Sequence, residues 1–321
     1  MFHSSIVYSL HWYYTLIMIY TLTLNPSIDY VLSLHELIPG CVNRSLSQSM
    51  FPGGKGINVS IVLSSLGTPS VALGFVSGFT GSQILKSLSL SGNLVKPDFV
   101  VSESAGQFSR INVKLETNAC ETEINAPGPV ITESDEKKLF EKLDLLRDGD
   151  MLVLAGTIPL SLKSDFYSRI MKSLSARKIS FVVDATKSLL TDCLQFRPFL
   201  VKPNNHELGE IFGVALETAQ DCIPYAKKLR HMGAENVLVS LGGNGALLVS
   251  EENVFECPCP RISVVNTVGS GDSMVAAFIH SLCEKKSMAD ALKFAVAAGS
   301  ASASKNWLCN KNDVVQMLEK F

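Results

Sequence analysis

Apolar positions in this chain recur with two alternating periods, and the alternation predicts the fold. Residues 19–24 form a short apolar run closed by Asn25-Pro26, which reads as a buried strand. Comparable runs follow at 71–76, 151–155, 180–184, 200–202 and 236–241. Between them lie stretches with helical spacing through 66 and at 81–91, 132–147, 159–176, 204–212 and 218–232. Gly67 and Gly233 stand where helices end, and Thr132 with Asp135 three residues on is a capping signal. Such β–α alternation predicts a mostly parallel central sheet with helices on both faces. Two segments, about 27–52 and 100–127, break the rhythm. The second alternates Ile111, Val113 and Leu115, so these segments predict a small β-sheet flap beside the main body.

One domain over 18–321 accounts for the pattern. Residues 1–17 are apolar and aromatic, with neither Lys nor Arg. They have neither the basic start nor the small-residue cleavage site of a secretory signal. We expect Met18 to be the natural start and 1–17 to be an extension outside the fold, with a membrane anchor as the alternative.

The sharpest change of pattern is VVNTVGSGDSMVAAFI, residues 264–279. An apolar run meets the turn Gly269-Ser270-Gly271, then Asp272, then Val275, Phe278, Ile279 and Leu282 at helical spacing. Free backbone N–H groups and the helix dipole suit an anion there, and Asp272 beside it suits a base. A simple helix cap explains Asp272 equally well.

Other candidates are weaker taken singly. Asp29 emerges after the first strand, at the sheet edge where open α/β proteins bind ligands. A turn aspartate is the plainer reading. Gly53-Gly54-Lys55-Gly56, followed by Asn58, places a lysine in a glycine loop at a helix start, but it is not a Walker A loop. Asn204 and Glu207 share a face at a helix start; they could hold a hydrated Mg²⁺ or simply begin a helix. Residues 291–303 are nearly all small, which permits close helix packing.

Composition narrows the classes. The 321 residues are 46% hydrophobic and 18% charged with net charge −2, so nothing points to nucleic acid or a membrane surface. Eight cysteines lie without a CxxC pair, which fits free thiols in a reducing cytoplasm.

Read together, TLNPSID, VNR, PGGKGINVS, LAGTIP, VKPNNHE, VSLGGNGA, NTVGSGD and AAGSASA occur in order from residue 19 onward. In this the chain resembles the ribokinase-like (PfkB-type) sugar kinases, above all their sugar-phosphate branch of 1-phosphofructokinases and tagatose-6-phosphate kinases. The resemblance implies a ribokinase-like α/β fold with a β-sheet lid and ATP-dependent phosphorylation of a ketohexose phosphate. Fructose 1-phosphate is the first expectation; tagatose 6-phosphate and fructose 6-phosphate are the alternatives. It implies Asp272 as base, with Gly269, Ser270 and Gly271 as the anion hole. Asp29, Gly54, Asn58 and Thr157 would meet the sugar, and Lys55, Arg44 and Arg110 its existing phosphate. Lys202, Ser240, Gly242, Gly245 and Ser300 would lie on the nucleotide side, and Asn204 and Glu207 would be tied to Mg²⁺. Asn266 stands where many relatives carry Asp, which puts a monovalent-cation site in doubt. A homodimer through the lid is also implied. The rivals from other classes are a non-catalytic sensor of sugar phosphate or nucleotide, and a nicotinamide dehydrogenase. The missing GxGxxG after the first strand speaks against the latter.

Overall fold

The computed structural model describes residues 18–103, 106–117 and 119–321; the expectations for 1–17 fall outside the described residues. In chain order the strands begin with β1 (Ile19–Thr23), β2 (Ser27–Ser33), β3 (Ser47–Gly53), β4 (Ser70–Ser77) and β5 (Val95–Pro97). They continue with β6 (Val100–Ser102), β7 (Arg110–Glu116), β8 (Glu121–Asn125), β9 (Met151–Ala155) and β10 (Ser180–Asp184). The last four are β11 (Leu200–Val201), β12 (Asn236–Ser240), β13 (Ala246–Val249) and β14 (Val254–Cys257).

The large sheet has the order β14-β13-β12-β11-β10-β9-β1-β4-β5, with β6 also paired to β4. Its pairings are parallel from β5 to β12, and β13 and β14 add an antiparallel edge. All eight residues of β4 and all five of β9 are buried, as a sheet covered on both faces requires. The two-residue period of β9 sends Leu152 and Leu154 into one apolar layer and Met151, Val153 and Ala155 into the other. Leu139, Phe166, Ile170 and Leu229 complete the first layer. Val59, Val62, Phe278 and Ala295 complete the second. Parallel pairing brings the carboxyl ends of β1, β9, β10, β11 and β12 to one edge, and the site forms there.

The small sheet has the order β3-β2-β7-β8. Its second chain segment starts at Arg110, not near residue 100. Phe99 and Val100 are buried, and β6 joins β4 of the large sheet instead. The helix expected directly after Pro159 begins only at Phe166. Turns closed by Leu162 N–H to Pro159 O and Phe166 N–H to Lys163 O fill the interval.

The Ser270–Cys283 helix is buried on nearly every side from Asp272 to Ser281, although its sequence suggests a single apolar face. The Met288–Ala303 helix packs against it closely because its residues are small. A Cβ on Gly299 would stand 2.7 Å from Met274 Cγ. Among the described residues, no helix is long and apolar enough to cross a membrane.

Phe278 is fully buried at the centre of the helix that carries Asp272. Phe278→Ala is expected to lower the unfolding free energy by about 3–5 kcal/mol in urea titrations. A loss below about 1 kcal/mol would show that this helix is not the packed support described here.

Candidate active site

A cleft of about 1380 Å³ runs between the small sheet and the carboxyl edge of the large one. Asp272, Lys55, Asn58, Arg110, Asp29, Lys202 and the Gly269–Gly271 turn all line it. Gly269 caps the helix at φ 77, a left-handed conformation that glycine adopts without strain. Asp272 therefore lies in the first helical turn. Ser270 N–H is used by Thr267 O at 3.2 Å. The N–H groups of Gly271 and Asp272 have no partner inside the helix, which makes this end an anion site.

The chemistry concentrates on two carboxylates and two ammonium groups. Asp272 is 6% exposed, and its Oδ2 accepts Asn58 Nδ2 at 2.8 Å. Asp184, the last residue of β10, is 1% exposed. Its Oδ1 accepts Lys55 Nζ at 2.8 Å, and Lys202 Nζ lies 3.5 Å from its Oδ2. Burial disfavours the Asp184 charge, but Lys202 and Lys55 outweigh it and hold the carboxyl below its ordinary range. Burial likewise works against the Lys55 ammonium. Asp184, and then Asp272, reverse that and raise its pKa. Asp272 goes the other way. Burial, then the charge of Asp184, push it up to about 6, against Lys55, the Asn58 hydrogen bond and Lys202.

Glycine at 271 leaves room for a cation over the anion turn, because its Cβ would lie 3.2 Å from Lys202 Nζ. Farther along the cleft, Ser240 ends β12, and Gly242 and Gly245 turn the chain at φ 55 and 92. A Cβ on Gly245 would meet Cys257 O at 2.0 Å, so no side chain fits there. Ser300 also lines the cleft; its Oγ donates to Val296 O at 2.8 Å and meets Cys259 Sγ at 3.2 Å.

The lid forms the opposite wall. Asp29 Oδ1 accepts Ser27 Oγ at 2.7 Å and Asn112 Nδ2 at 3.2 Å. Arg110 Nε donates to Asn25 O at 3.0 Å. Burial lowers the Arg110 pKa, partly opposed by Asp29. Gly54 stands at φ 124 with Thr23 Cγ2 2.5 Å from where its Cβ would be, so glycine is required at this bend. Thr157 is exposed at the cleft rim.

Three expectations change in the structure. Arg44 sits on an exposed loop between β2 and β3 and is not among the residues lining the cleft, because the loop joins the far end of that strand pair, away from Ser27 and Gly53. Lys55 pairs with Asp184, which it shares with Lys202, so it faces the cleft as part of an ion-paired group and not as a lone cation. Asn204 and Glu207 face the cleft but form a capping box. Asn204 N–H donates to Glu207 Oε2 at 2.8 Å, and Glu207 N–H donates to Asn204 Oδ1 at 2.7 Å. Among the described residues, no group of three or more His, Cys, Asp or Glu side chains could hold a metal by itself.

Sequence reasoning missed Asp184, Asn112 and Lys114. Asp184 carried a usable signal, since an acid ending a buried strand is the same cue that singled out Asp29. Asn112 and Lys114 alternate with Ile111, Val113 and Leu115, and so share the face of Arg110.

Comparison with known proteins accords with this geometry. The pfkB family carbohydrate kinase profile matches residues 15–313. The 1-phosphofructokinase of Bacillus subtilis is 43% identical over 301 residues, 94% of this chain and 97% of that protein. The D-tagatose-1-phosphate kinase of Bacillus licheniformis is 35% identical over 287 residues, 89% of this chain and 92% of that protein. The crystal structure of phosphofructokinase-2 from Escherichia coli in complex with substrates and products superposes with a TM-score of 0.88 at 30% identity, covering 94% of this chain and 99% of that one. The matches take in both sheets and the cleft between them, and the chain belongs to the pfkB family of carbohydrate kinases.

Proposed function

We propose that this kinase transfers the γ-phosphoryl group of ATP to a ketohexose 1-phosphate, fructose 1-phosphate first, giving fructose 1,6-bisphosphate. The observation that carries this reading is the shared cleft. A buried carboxylate with a raised pKa, Asp272, stands at a glycine-built anion site, and Arg110 lines the lid side of the same cavity.

In the proposed step the sugar hydroxyl oxygen bonds to the γ-phosphorus. Its proton passes to the Asp272 carboxylate, and the bond to ADP breaks with its electron pair going to the departing β-phosphate oxygen. Gly271 and Asp272 N–H groups and Lys202 meet the charge on the moving group, so positioning and charge neutralisation do most of the work. Lys55 keeps Asp272 from rising further and so keeps it a base near neutral pH. Asp29, Asn58, Gly54 and Thr157 hold the sugar, and Arg110 holds its existing phosphate as a charge-assisted pair. Ser240, Gly242, Gly245 and Ser300 form the nucleotide wall. Glu207, beside Asn204, would hold a Mg²⁺ carried on the nucleotide phosphates through a carboxylate oxygen left outside the cap and through water; the ion supplies charge neutralisation. A monovalent cation would have to rely on backbone oxygens near Asn266, whose side-chain oxygen already accepts Val268 N–H at 2.8 Å. The eight cysteines form no disulfide, which suits the reducing cytoplasm we propose as its setting.

Three tests follow from this reading. In wild type, kcat/KM should fall on the acid side as pH drops through about 6, because the base must be unprotonated. Asp272→Asn should keep ATP binding, lose about 10²–10⁴-fold in turnover and lack that limb. Near-normal turnover would remove Asp272 as the base.

Coupled ADP release should show the highest kcat/KM with fructose 1-phosphate among fructose 1-phosphate, fructose 6-phosphate, tagatose 1-phosphate and tagatose 6-phosphate. Preference for either 6-phosphate would reverse the assigned orientation of the sugar. Substrate-dependent ADP release with none of the four would favour a non-catalytic sensor.

The outer side of the lid leaves β8 exposed along its whole length, Ile124 included, and Met50 of β3 is exposed as well. We assign this surface to a homodimer contact that covers the sheet edge. Light scattering should give twice the monomer mass at micromolar concentration, and a monomer would contradict it.

A further inference from the structure

Lys114 is a cation inside the sugar cleft that no step above uses. It lies on β7, four residues beyond Arg110 and on the same face. Only 6% of its side chain is exposed. A buried ammonium in a sugar-phosphate site invites the role of phosphate ligand. Its surroundings argue otherwise, because two carboxylates already flank it. Glu123 Oε1 lies 3.0 Å from Nζ, and Asp29 Oδ2 lies 3.8 Å away. Burial works against the Glu123 charge, yet the bonds from Lys114 and Asn125 hold that carboxyl below its ordinary range.

The surroundings of Asp29 complete the picture. Its Oδ1 is occupied by Ser27 Oγ at 2.7 Å and by Asn112 Nδ2 at 3.2 Å. A carboxylate only accepts, so Asn112 must present its nitrogen to it. Asp29 and Asn112 are register partners on the parallel strands β2 and β7, so the backbone ladder sets this contact. Gly53, across β3, has no room for a side chain, since its Cβ would stand 2.5 Å from Asp29 Oδ1. The carboxylate is therefore fixed on one oxygen. The other is drawn by an ammonium too distant to form a hydrogen bond. That oxygen keeps its lone pairs for a ligand, and 17% of the side chain is exposed.

We propose that Lys114 is a positioning residue for Asp29. It sets the rotamer of that carboxylate so that Oδ2 receives sugar hydroxyls, with Glu123 as the anchor that holds Lys114 in place. This rests on the reading of Asp29 as a sugar contact in a ketohexose-phosphate kinase. On this view β7 divides its polar face by task. Arg110 attends to the phosphate, and Asn112 and Lys114 each hold one side of Asp29.

The test is a double-mutant cycle on sugar-phosphate affinity. It is measured both as KM in the ADP-release assay and by calorimetric titration of fructose 1-phosphate without nucleotide. Wild-type turnover of fructose 1-phosphate is measured first, and its absence would overturn the functional reading itself. Lys114→Met should then weaken sugar-phosphate affinity about 10-fold while leaving the KM for ATP unchanged. Lys114→Arg should restore most of the loss. In an Asp29→Asn background, Lys114→Met should cost less than about 2-fold more, because the group it positions is gone. A full additional 10-fold loss in that background would mean that Lys114 meets the substrate directly, and would overturn the proposal. So would unchanged affinity in Lys114→Met, or equal losses for Lys114→Met and Lys114→Arg.

Discussion

Asp184 shares one buried carboxylate between two ammonium groups, and the geometry of the site depends on it. A carboxylate 1% exposed is tolerable only when paired, and so is an ammonium as enclosed as Lys202. Removing one member of such a group costs about 3–5 kcal/mol, so the members hold one another in place. Strand pairing supplies the fixed point. Asp184 is the register partner of Ala155 on β9, and its carbonyl accepts Gly156 N–H at 3.0 Å. Lys55 reaches it from a glycine loop after β3, and Lys202 from the end of β11. Lys202 is thereby held over the Gly271 turn, where the proposed phosphoryl transfer would need positive charge.

The same constraint sets the state of Asp272. That carboxylate lies close enough to Asp184 for repulsion to add to its burial, and close enough to both lysines for them to oppose it. The outcome is an acid poised near neutrality, as the proposed base would need, beside one that stays ionised. Pairing with Asp184 also bears on how the proposed substrate's own phosphate would be met. Lys55 brings little free charge to the sugar, and Arg44 lies away from the cleft. In the proposed reading the substrate's phosphate therefore falls chiefly to Arg110, whose partner in the structure is a neutral backbone carbonyl.

Much of this was readable before any coordinates. The β–α rhythm foretold the parallel sheet, because strands buried on both faces have to be continuous apolar runs. Gly269-Ser270-Gly271-Asp272 is legible as a glycine turn feeding a helix, which suits an anion site and a plain helix cap equally well. What stayed hidden depended on partners distant in sequence. Lys55 and Asp184 are separated by 129 positions, and no local pattern says that their charges cancel. The Ser270–Cys283 helix looked one-sided because its second apolar partner, the small-residue face of Met288–Ala303, is recognised only once the two are packed. Asn204 and Glu207 read more plainly as the polar first turn of a helix than as a metal site, and the backbone of this structure engages them as a cap. The flap boundary near residue 100 was misjudged because short apolar strands do not reveal which sheet they join.

The most direct measurement is the ionisation of Asp272 itself, followed by carboxyl-carbon NMR in wild type and in Asp184→Asn. Wild type should titrate near 6, above an ordinary aspartate, and loss of the neighbouring negative charge should move the titration to lower pH. A wild-type value in the ordinary aspartate range, or an Asp184→Asn value that stays put or rises, would contradict the coupled charge arrangement at the centre of this site.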